Sequence, residues 1–195
     1  MQVVEIFYSI QGEGLRAGQA TIFIRLAGCN LDCDFCDTKY ARDPQSGEEM
    51  TIDAIIGAAK LASLDCQWVC ITGGEPYHQN LRSLTHRLKQ YGYKIQIETN
   101  GTIFQETIAD HITISPKQGH PLNWNFFTHR FDGQIVEMKY VVSNDQDMPI
   151  EPIVPASLQP KSNDPEAIRF CVDKVKKEPN KWRFSLQLHK ILSIR

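Results

Sequence analysis

The chain has 195 residues, 21 Lys and Arg against 23 Asp and Glu, and a formal charge of -2 with the two signs interspersed. That length fits one domain over residues 1–195 with room for a substantial core, and the near-neutral balance supplies no broad positive field, which argues against direct nucleic-acid binding. No apolar run approaches the roughly 18 residues of a membrane span, and six Cys without a basic-then-apolar leader point to a soluble protein of the reducing cytoplasm.

Short apolar, β-branched runs alternate with amphipathic segments, the pattern of parallel strands joined by helical crossovers. Strands are predicted at Thr21–Leu26, Trp68–Thr72, Lys94–Glu98, Ile112–Ser115, Glu137–Val142, Ile153–Leu158 and Arg183–Leu188. A first helix starts at an N-cap Thr51 and sets Ile52, Ile55, Ile56 and Ala59 on one face; a second runs from Asn80 with Leu81, Leu84, Leu88 and Tyr91 and is closed by Gly92. A third opens at Asp164-Pro165, an N-cap followed by proline at the first helical position, with Ile168, Val172 and Val175 inward. The segment Gln118–Asp132 has no clear period and reads as a lid, a packing loop or an idle insertion. A complete eight-unit barrel needs about 250 residues, so the expected α/β fold is a partial, abbreviated (β/α) barrel with a curved, mostly parallel sheet.

Chemistry concentrates where these strands end. Cys29, Cys33 and Cys36 follow the first predicted strand with C-x3-C-x2-C spacing. Four thiolates normally complete an electron-transfer iron-sulfur site, so a lone triplet leaves one iron of a 4Fe-4S cluster open to another ligand. Three ligands of a zinc site with a distant fourth, or ordinary buried thiols, are the plainer alternatives, although zinc ribbons favour paired C-x2-C units that this chain lacks. Cys66, Cys70 and Cys171 sit in apolar runs and read as core thiols. Thr72-Gly73-Gly74-Glu75-Pro76 ends the second strand, its glycines letting backbone approach a ligand closely beside a carboxylate. Glu98-Thr-Asn-Gly101 and Ser115-Pro116-Lys117 end the next two, and each could equally be turn chemistry.

The cysteine triplet, Phe35 before its third member, and the Gly-Gly-Glu-Pro element together resemble the radical S-adenosylmethionine (SAM) superfamily. Glu5-Ile-Phe-Tyr-Ser-Ile-Gln11-Gly12-Glu13-Gly14, Phe23-Ile-Arg25-Leu-Ala-Gly-Cys29, Cys36-Asp-Thr38-Lys39, Gln96-Ile-Glu98-Thr-Asn-Gly101 and the tail His189-Lys-Ile-Leu-Ser-Ile194 extend that likeness over essentially the whole chain, to the 7-carboxy-7-deazaguanine synthases. The resemblance implies conversion of 6-carboxy-5,6,7,8-tetrahydropterin to 7-carboxy-7-deazaguanine with loss of ammonia, on the route to queuosine and other deazapurines. A reduced cluster would cleave SAM to methionine and a 5'-deoxyadenosyl radical, which takes a hydrogen from C6 of the pterin, lets the ring contract and recovers the hydrogen.

Position by position, the resemblance assigns Cys29, Cys33 and Cys36 to the 4Fe-4S cluster, and Phe35, Cys36, Asp37, Gly74, Glu75, Ser115, Pro116, Lys117 and Gln159 to SAM. It assigns Ile10, Gln11, Gly12, Arg25, Thr72, Glu98, His189 and the C-terminal carboxylate of Arg195 to the pterin, and Thr38 to a Mg2+ ion. Arg25 is a permanent guanidinium suited to a substrate carboxylate, and Glu98 can accept from the amino and ring N–H groups of a guanine-like edge. A flavodoxin or ferredoxin reductant and a homodimer are further expectations from the family. The rival readings are a glycyl-radical activating enzyme, which shares the triplet but acts on a protein, and a non-catalytic zinc or iron-sulfur module.

Overall fold

A computed structural model describes residues 1–129, 133–149 and 154–195. Its strands are β1 (Gln2–Ile10), β2 (Ala20–Leu26), β3 (Glu48–Glu49), β4 (Trp68–Gly73), β5 (Lys94–Thr99), β6 (His111–Ile114), β7 (Ile135–Val142), β8 (Ala156–Pro160) and β9 (Trp182–Phe184). Its helices are α1 (Ile52–Ala62), α2 (Arg82–Gln90), α3 (Asn125–Thr128), α4 (Pro165–Lys177) and α5 (Leu188–Leu192). All nine strands lie in one sheet of order β3-β1-β2-β4-β5-β6-β7-β8-β9. β1 is antiparallel to β2 and β3; the other pairings are parallel. β3 and β9 are its two edges, so the sheet remains open, as a chain too short for a full barrel requires.

Period-two alternation divides the sheet into an apolar and a polar face. Ile22, Ile24, Leu26, Val69, Ile71, Ile95, Ile97, Ile112 and Ile114 are buried in one layer with Ile55, Ile56 and Ala59 of α1 and Leu84 and Leu88 of α2. Met138, Val142, Ala156, Leu158 and Trp182 form a second cluster with Cys171 of α4. Each fully buried Ile or Leu contributes about 1.5–3 kcal/mol relative to exposure, which is what holds these crossovers down. The alternate positions, among them Arg25, Thr72, Gln96, Glu98, Thr113, Glu137, Lys139 and Gln159, therefore face the opposite side.

Local chemistry matches much of the expected pattern. Thr51 Oγ1 accepts from Ala54 N at 3.2 Å, Asp164 Oδ1 accepts from Glu166 N and Ala167 N at 3.0 Å, and Gly92 has φ +81° beyond α2. α2 begins two residues after Asn80, whose Oδ1 caps Arg82 N at 3.1 Å. On α4 the inward face turns slightly from expectation: Ala167 and Cys171 are buried and Phe170 and Val175 pack beside them, while Ile168 and Val172 are only half-buried. Ile153 lies outside the described residues; the strand expected there begins at Ala156 and runs on to Pro160. β9 stops at Phe184, because Ser185 to Leu188 leave the sheet to meet the turn after β1. In Gln118–Asp132, Phe126 is 1 % exposed and packs on Tyr77 and Phe104, so the described part of this segment serves packing. Cys70 and Cys171 are buried as expected, whereas Cys66 is half-buried, its thiol directed at the carbonyls of Ala20 and Trp68.

Candidate active site

A cavity of about 610 Å3 opens on the polar face at the C-terminal ends of the parallel strands. Three neighbouring strands supply one row of its wall. Arg25 of β2 is the register partner of Thr72 of β4, and Thr72 Oγ1 donates to Glu98 Oε2 of β5 at 3.1 Å. Gln11, buried in the turn after β1, donates through Nε2 to Glu98 Oε1 at 2.9 Å and to Gln96 Oε1 at 3.0 Å. Gln96 also accepts from Arg16 Nη1 at 2.6 Å and donates to Thr113 at 2.9 Å. Arg16 is buried without a direct carboxylate partner among the described residues, and its guanidinium lies 3.7 Å from the Trp68 ring centroid. Deeper still, Glu137 accepts from Leu15 N at 2.9 Å, Thr113 at 2.9 Å and His111 at 3.0 Å. A connected polar network thus occupies the interior that apolar side-chain layers fill in a closed barrel.

The cysteine loop forms the opposite wall. Cys29, Cys33 and Cys36 are free, half-buried thiols, and all three line the cavity. Burial pushes the Cys29 and Cys33 thiols above their ordinary value, with Lys117 opposing the rise at Cys33. The loop is pinned by backbone bonds from Gly28 N to Ala41 O at 2.9 Å and Cys29 N to Arg42 O at 3.0 Å. The segment after β4 seats directly on it, with Gly74 N donating to Leu26 O at 3.1 Å and Glu75 N to Gly28 O at 2.8 Å. A Cβ on Gly74 would lie 2.3 Å from Gly28 O, so the contact demands glycine.

Of the residues singled out in this segment, Gly74 lines the cavity and the Glu75 side chain does not. Its carboxylate is fully buried and accepts from Asn100 N at 2.6 Å, Thr99 Oγ1 at 2.7 Å and Tyr77 N at 3.1 Å, clamping the β4 and β5 loops together. Burial outweighs these donors and pushes its carboxyl up to about 7. Likewise Ser115 and Lys117 line the cavity while Pro116 between them does not. Lys117 Nζ donates to Ser115 Oγ at 2.7 Å and Ser115 O at 2.8 Å; burial, with the nearby Lys139 charge, lowers it to about 8. Phe35, Asp37 and Thr38 are at the wall, Thr38 Oγ1 lying 3.7 Å from Cys36 Sγ. Gln159 is buried at the same wall, and its Oε1 has no hydrogen-bond partner among the described residues.

Ile10, Gly12, His189 and Arg195 close the remaining side. α5 returns to the turn after β1 through Leu188 N donating to Gly12 O at 3.1 Å, and a Cβ on Gly12 would meet His189 Nδ1 at 2.5 Å. Arg195 is exposed, donating through Nη2 to Glu5 Oε2 at 3.0 Å and accepting at its terminal carboxylate from Ser9 Oγ at 2.5 Å.

The structure adds site residues that sequence reasoning missed. Glu13 is ion-paired with Lys139 of β7, and Gln187 Nε2 donates to Glu13 Oε1 and Asp37 Oδ2, each at 3.0 Å. Burial opposes ionisation of Glu13, but the adjacent Lys139 ammonium holds it well below the usual carboxylate range. Glu13, Asp37 and His189 bring ligand atoms within 4.8 Å of one another. Gln187 with Lys139 and Lys190 surrounds these carboxylates with N–H donors, however, the Lys190 ammonium lying 3.5 Å from Asp37. Glu13 lies one residue beyond the expected substrate contacts, and Lys139 shares a strand face with Glu137, but neither position by itself indicates that the two pair.

Residues 23–131 match the Radical SAM superfamily. The 7-carboxy-7-deazaguanine synthase of Bacteroides thetaiotaomicron is 42% identical over 197 aligned residues, covering 100% of this chain and 98% of the relative. That of Buchnera aphidicola is 34% identical, covering 98% and 97% respectively. The crystal structure of QueE from Escherichia coli is similar with a TM-score of 0.78 and 26% identity, covering 96% of this chain and 94% of that one. The chain belongs to the 7-carboxy-7-deazaguanine synthase family of the radical SAM superfamily.

Proposed function

We propose that this cavity holds 6-carboxy-5,6,7,8-tetrahydropterin against SAM and a 4Fe-4S cluster, for conversion to 7-carboxy-7-deazaguanine with loss of ammonia. The observation that carries the reading is a convergence: three free thiols, the glycine contact at Gly74 and the Arg25–Thr72–Glu98 row open on one cavity. Cys29, Cys33 and Cys36 would hold the cluster and leave one iron for SAM. Phe35, Asp37, Gly74, Ser115, Lys117 and Gln159 would border SAM, with Glu75 and Pro116 acting through the backbone they set. The unpartnered Oε1 of Gln159 fits this, since a buried acceptor costs free energy until a ligand brings a donor. Together the cluster and SAM would supply one-electron reduction and radical abstraction of hydrogen from a C–H bond.

The chain's own residues bind, orient and exclude water. Arg25 meets the substrate carboxylate, Glu98 accepts from the amino and ring N–H groups, and Gln11 and Thr72 hold Glu98 in place. Ile10, Gly12, His189 and Arg195 cover the bound ring. Thr38 offers a hydroxyl oxygen to Mg2+, an ion that prefers oxygen donors and keeps several waters or substrate oxygens. The amide and ammonium donors around Glu13 and Asp37 satisfy those carboxylates without an ion. The same reading places a single domain over residues 1–195 in the cytoplasm, as a homodimer reduced by a flavodoxin or ferredoxin, all on family grounds.

The test is an anaerobic assay of reconstituted protein with dithionite, SAM and 6-carboxytetrahydropterin, with and without Mg2+, followed by mass spectrometry. 7-Carboxy-7-deazaguanine formed with Mg2+ stimulation and without matching SAM consumption is the expected result. Cleavage of SAM with the pterin returned intact would remove the substrate assignment.

A further inference from the structure

Glu5 lies on the cavity only because β1 is irregular. Val3 pairs with Leu26 and Glu5 with Arg25, so one extra residue of β1 is accommodated between these pairs as a bulge. In an unbroken strand Val3 and Glu5 would share a face. Here Val3 and Ile6 pack into the helical core, while Glu5 and Phe7 line the cavity. The bulge thereby brings Glu5 directly across from Arg25, where opposed side chains of an antiparallel pair meet.

Three donors converge on the Glu5 carboxylate. Arg25 Nε donates to Oε1 at 2.8 Å, Tyr40 Oη to the same oxygen at 2.8 Å, and Arg195 Nη2 to Oε2 at 3.0 Å. The pair is well covered, with Arg25 and Glu5 side chains 15% and 17% exposed. The Arg25 guanidinium is further bounded by the Phe7 and Tyr40 rings, each with its centroid 5.9 Å away. With Nε engaged by Glu5, the two Nη groups are the donors remaining for a ligand, and together they form a fork that matches a carboxylate bidentately.

We propose that Glu5 is a positioning residue for carboxylate recognition: it fixes the rotation of Arg25 so that the Nη fork faces the substrate, and draws Arg195 to the mouth of the same subsite. This deepens, and rests on, the reading that Arg25 holds the substrate carboxylate. Glu5 also keeps the Arg25 and Arg195 guanidinium groups from repelling one another, leaving the Nη fork of Arg25 free to meet the ligand's carboxylate. A tetrahydropterin with a neutral group at C6 gains nothing from this arrangement. Glu5 therefore governs selectivity for the acid.

Anaerobic equilibrium binding of two probes, 6-carboxytetrahydropterin and 6-hydroxymethyltetrahydropterin, tests this in the cluster-loaded protein. The native chain should prefer the acid; Glu5→Ala should cut that preference about tenfold by weakening the acid alone, in line with the loss of a charge-assisted hydrogen bond. Glu5→Gln, which keeps an acceptor for Arg25 Nε and disturbs the strand least, should cause a smaller loss and decides the question if Glu5→Ala does not fold. Arg25→Gln should abolish the preference, and adding Glu5→Ala to it should change nothing further. Equal weakening of both probes by the Glu5 variants, or full additivity with Arg25→Gln, would overturn the positioning role. If Arg25→Gln itself leaves the preference intact, the carboxylate assignment of Arg25 fails instead.

Discussion

Gln11 Nε2 donates to Glu98 Oε1 across 2.9 Å, linking the turn after the antiparallel strand β1 to the parallel strand β5. Thr72 donates to the other oxygen of Glu98 at 3.1 Å, so the carboxylate is oriented from both sides before any ligand arrives. Such pre-orientation confines binding free energy to the ligand's own contacts, because little side-chain ordering remains to be done.

Glu98→Gln tests what that acceptor does. The amide keeps the shape but offers only one acceptor oxygen, and its NH2 must face either Gln11 or Thr72. Losing a charged hydrogen bond of this kind costs about 1.5–3 kcal/mol, so kcat/KM for the pterin should fall about 10- to 100-fold. Uncoupled reductive cleavage of SAM should continue, since the proposed role of Glu98 is on the substrate side. Native-like pterin kinetics would show that Glu98 makes no substrate contact.

Gly74→Ala probes the seam between the two ligand-bearing loops. The added Cβ would lie 2.3 Å from Gly28 O and 2.9 Å from Ala41 O, both backbone atoms that cannot swing away. The β4 loop must then move off the cysteine loop, which in the proposed site would displace the cluster and SAM relative to each other. Misplacement by about 1 Å can cost about 100-fold in rate, and here SAM-dependent perturbation of the reduced cluster's electron paramagnetic resonance signal should need far more SAM to saturate. An unchanged SAM titration would mean that the two loops need not touch.

Glu75 gives the fold a pH dependence of unusual sign for a carboxylate. Its carboxyl rises from 4.5 to about 7 because burial disfavours the charged form more than three donors favour it. The folded protein therefore holds this proton more tightly than the unfolded chain. Its stabilising contribution is fully present below about pH 4.5 and is lost as pH rises through about 7. The shift bounds that contribution at roughly 3 kcal/mol, and at a few degrees per kcal/mol for a chain of this size the effect is measurable in Tm. Glu75→Gln should lower Tm at and below about pH 5.5, because one buried N–H loses its acceptor at a cost of about 1–3 kcal/mol, yet flatten Tm between pH 5.5 and 8, so that the variant meets or overtakes the native chain at the alkaline end. Parallel Tm curves for the two proteins would show that Glu75 does not titrate in that range.

The sequence made the parallel strands and their order of chemistry legible because their alternation is unbroken: Ile95, Gln96, Ile97 and Glu98 read directly as core, network, core and cavity. The same rule failed for β1. Its bulge flips parity between Val3 and Glu5, so the run from Gln2 to Ile10 shows neither a clean strand period nor a helical one, although its β-branched and aromatic content was a usable signal. Glu5 was hidden for that reason, whereas Glu13 lies past the end of β1, where strand alternation no longer assigns a side chain's direction. Lys139 and Gln187 were hidden differently. A lone Lys in a strand and a Gln in a tail acquire meaning only when folding places them beside Glu13, at sequence separations of 126 and 174. Glu75 shows the converse: the motif was legible, but not that its carboxylate turns away from the cavity to clamp Asn100.

The cysteines separate by what surrounds them, and iron content should follow that division. Cys29, Cys33 and Cys36 share one loop and one cavity, whereas Cys171 is buried on the inner face of α4 and Cys66 points at the carbonyls of Ala20 and Trp68. A 4Fe-4S cluster with three protein thiolates has no spare protein ligand, so removing one leaves two irons without protein attachment. Each of Cys29→Ala, Cys33→Ala and Cys36→Ala should therefore reduce bound iron after anaerobic reconstitution from about four per chain to near zero and erase the absorption band near the visible edge, with far-ultraviolet circular dichroism retained. Cys66→Ala should keep the full complement, because its thiol is replaceable by a methyl group at the cost of two weak sulfur hydrogen bonds. If Cys66→Ala lost iron as completely as the triplet variants, or if zinc rather than iron filled the site stoichiometrically, the assignment of the triplet as the cluster ligands would not stand.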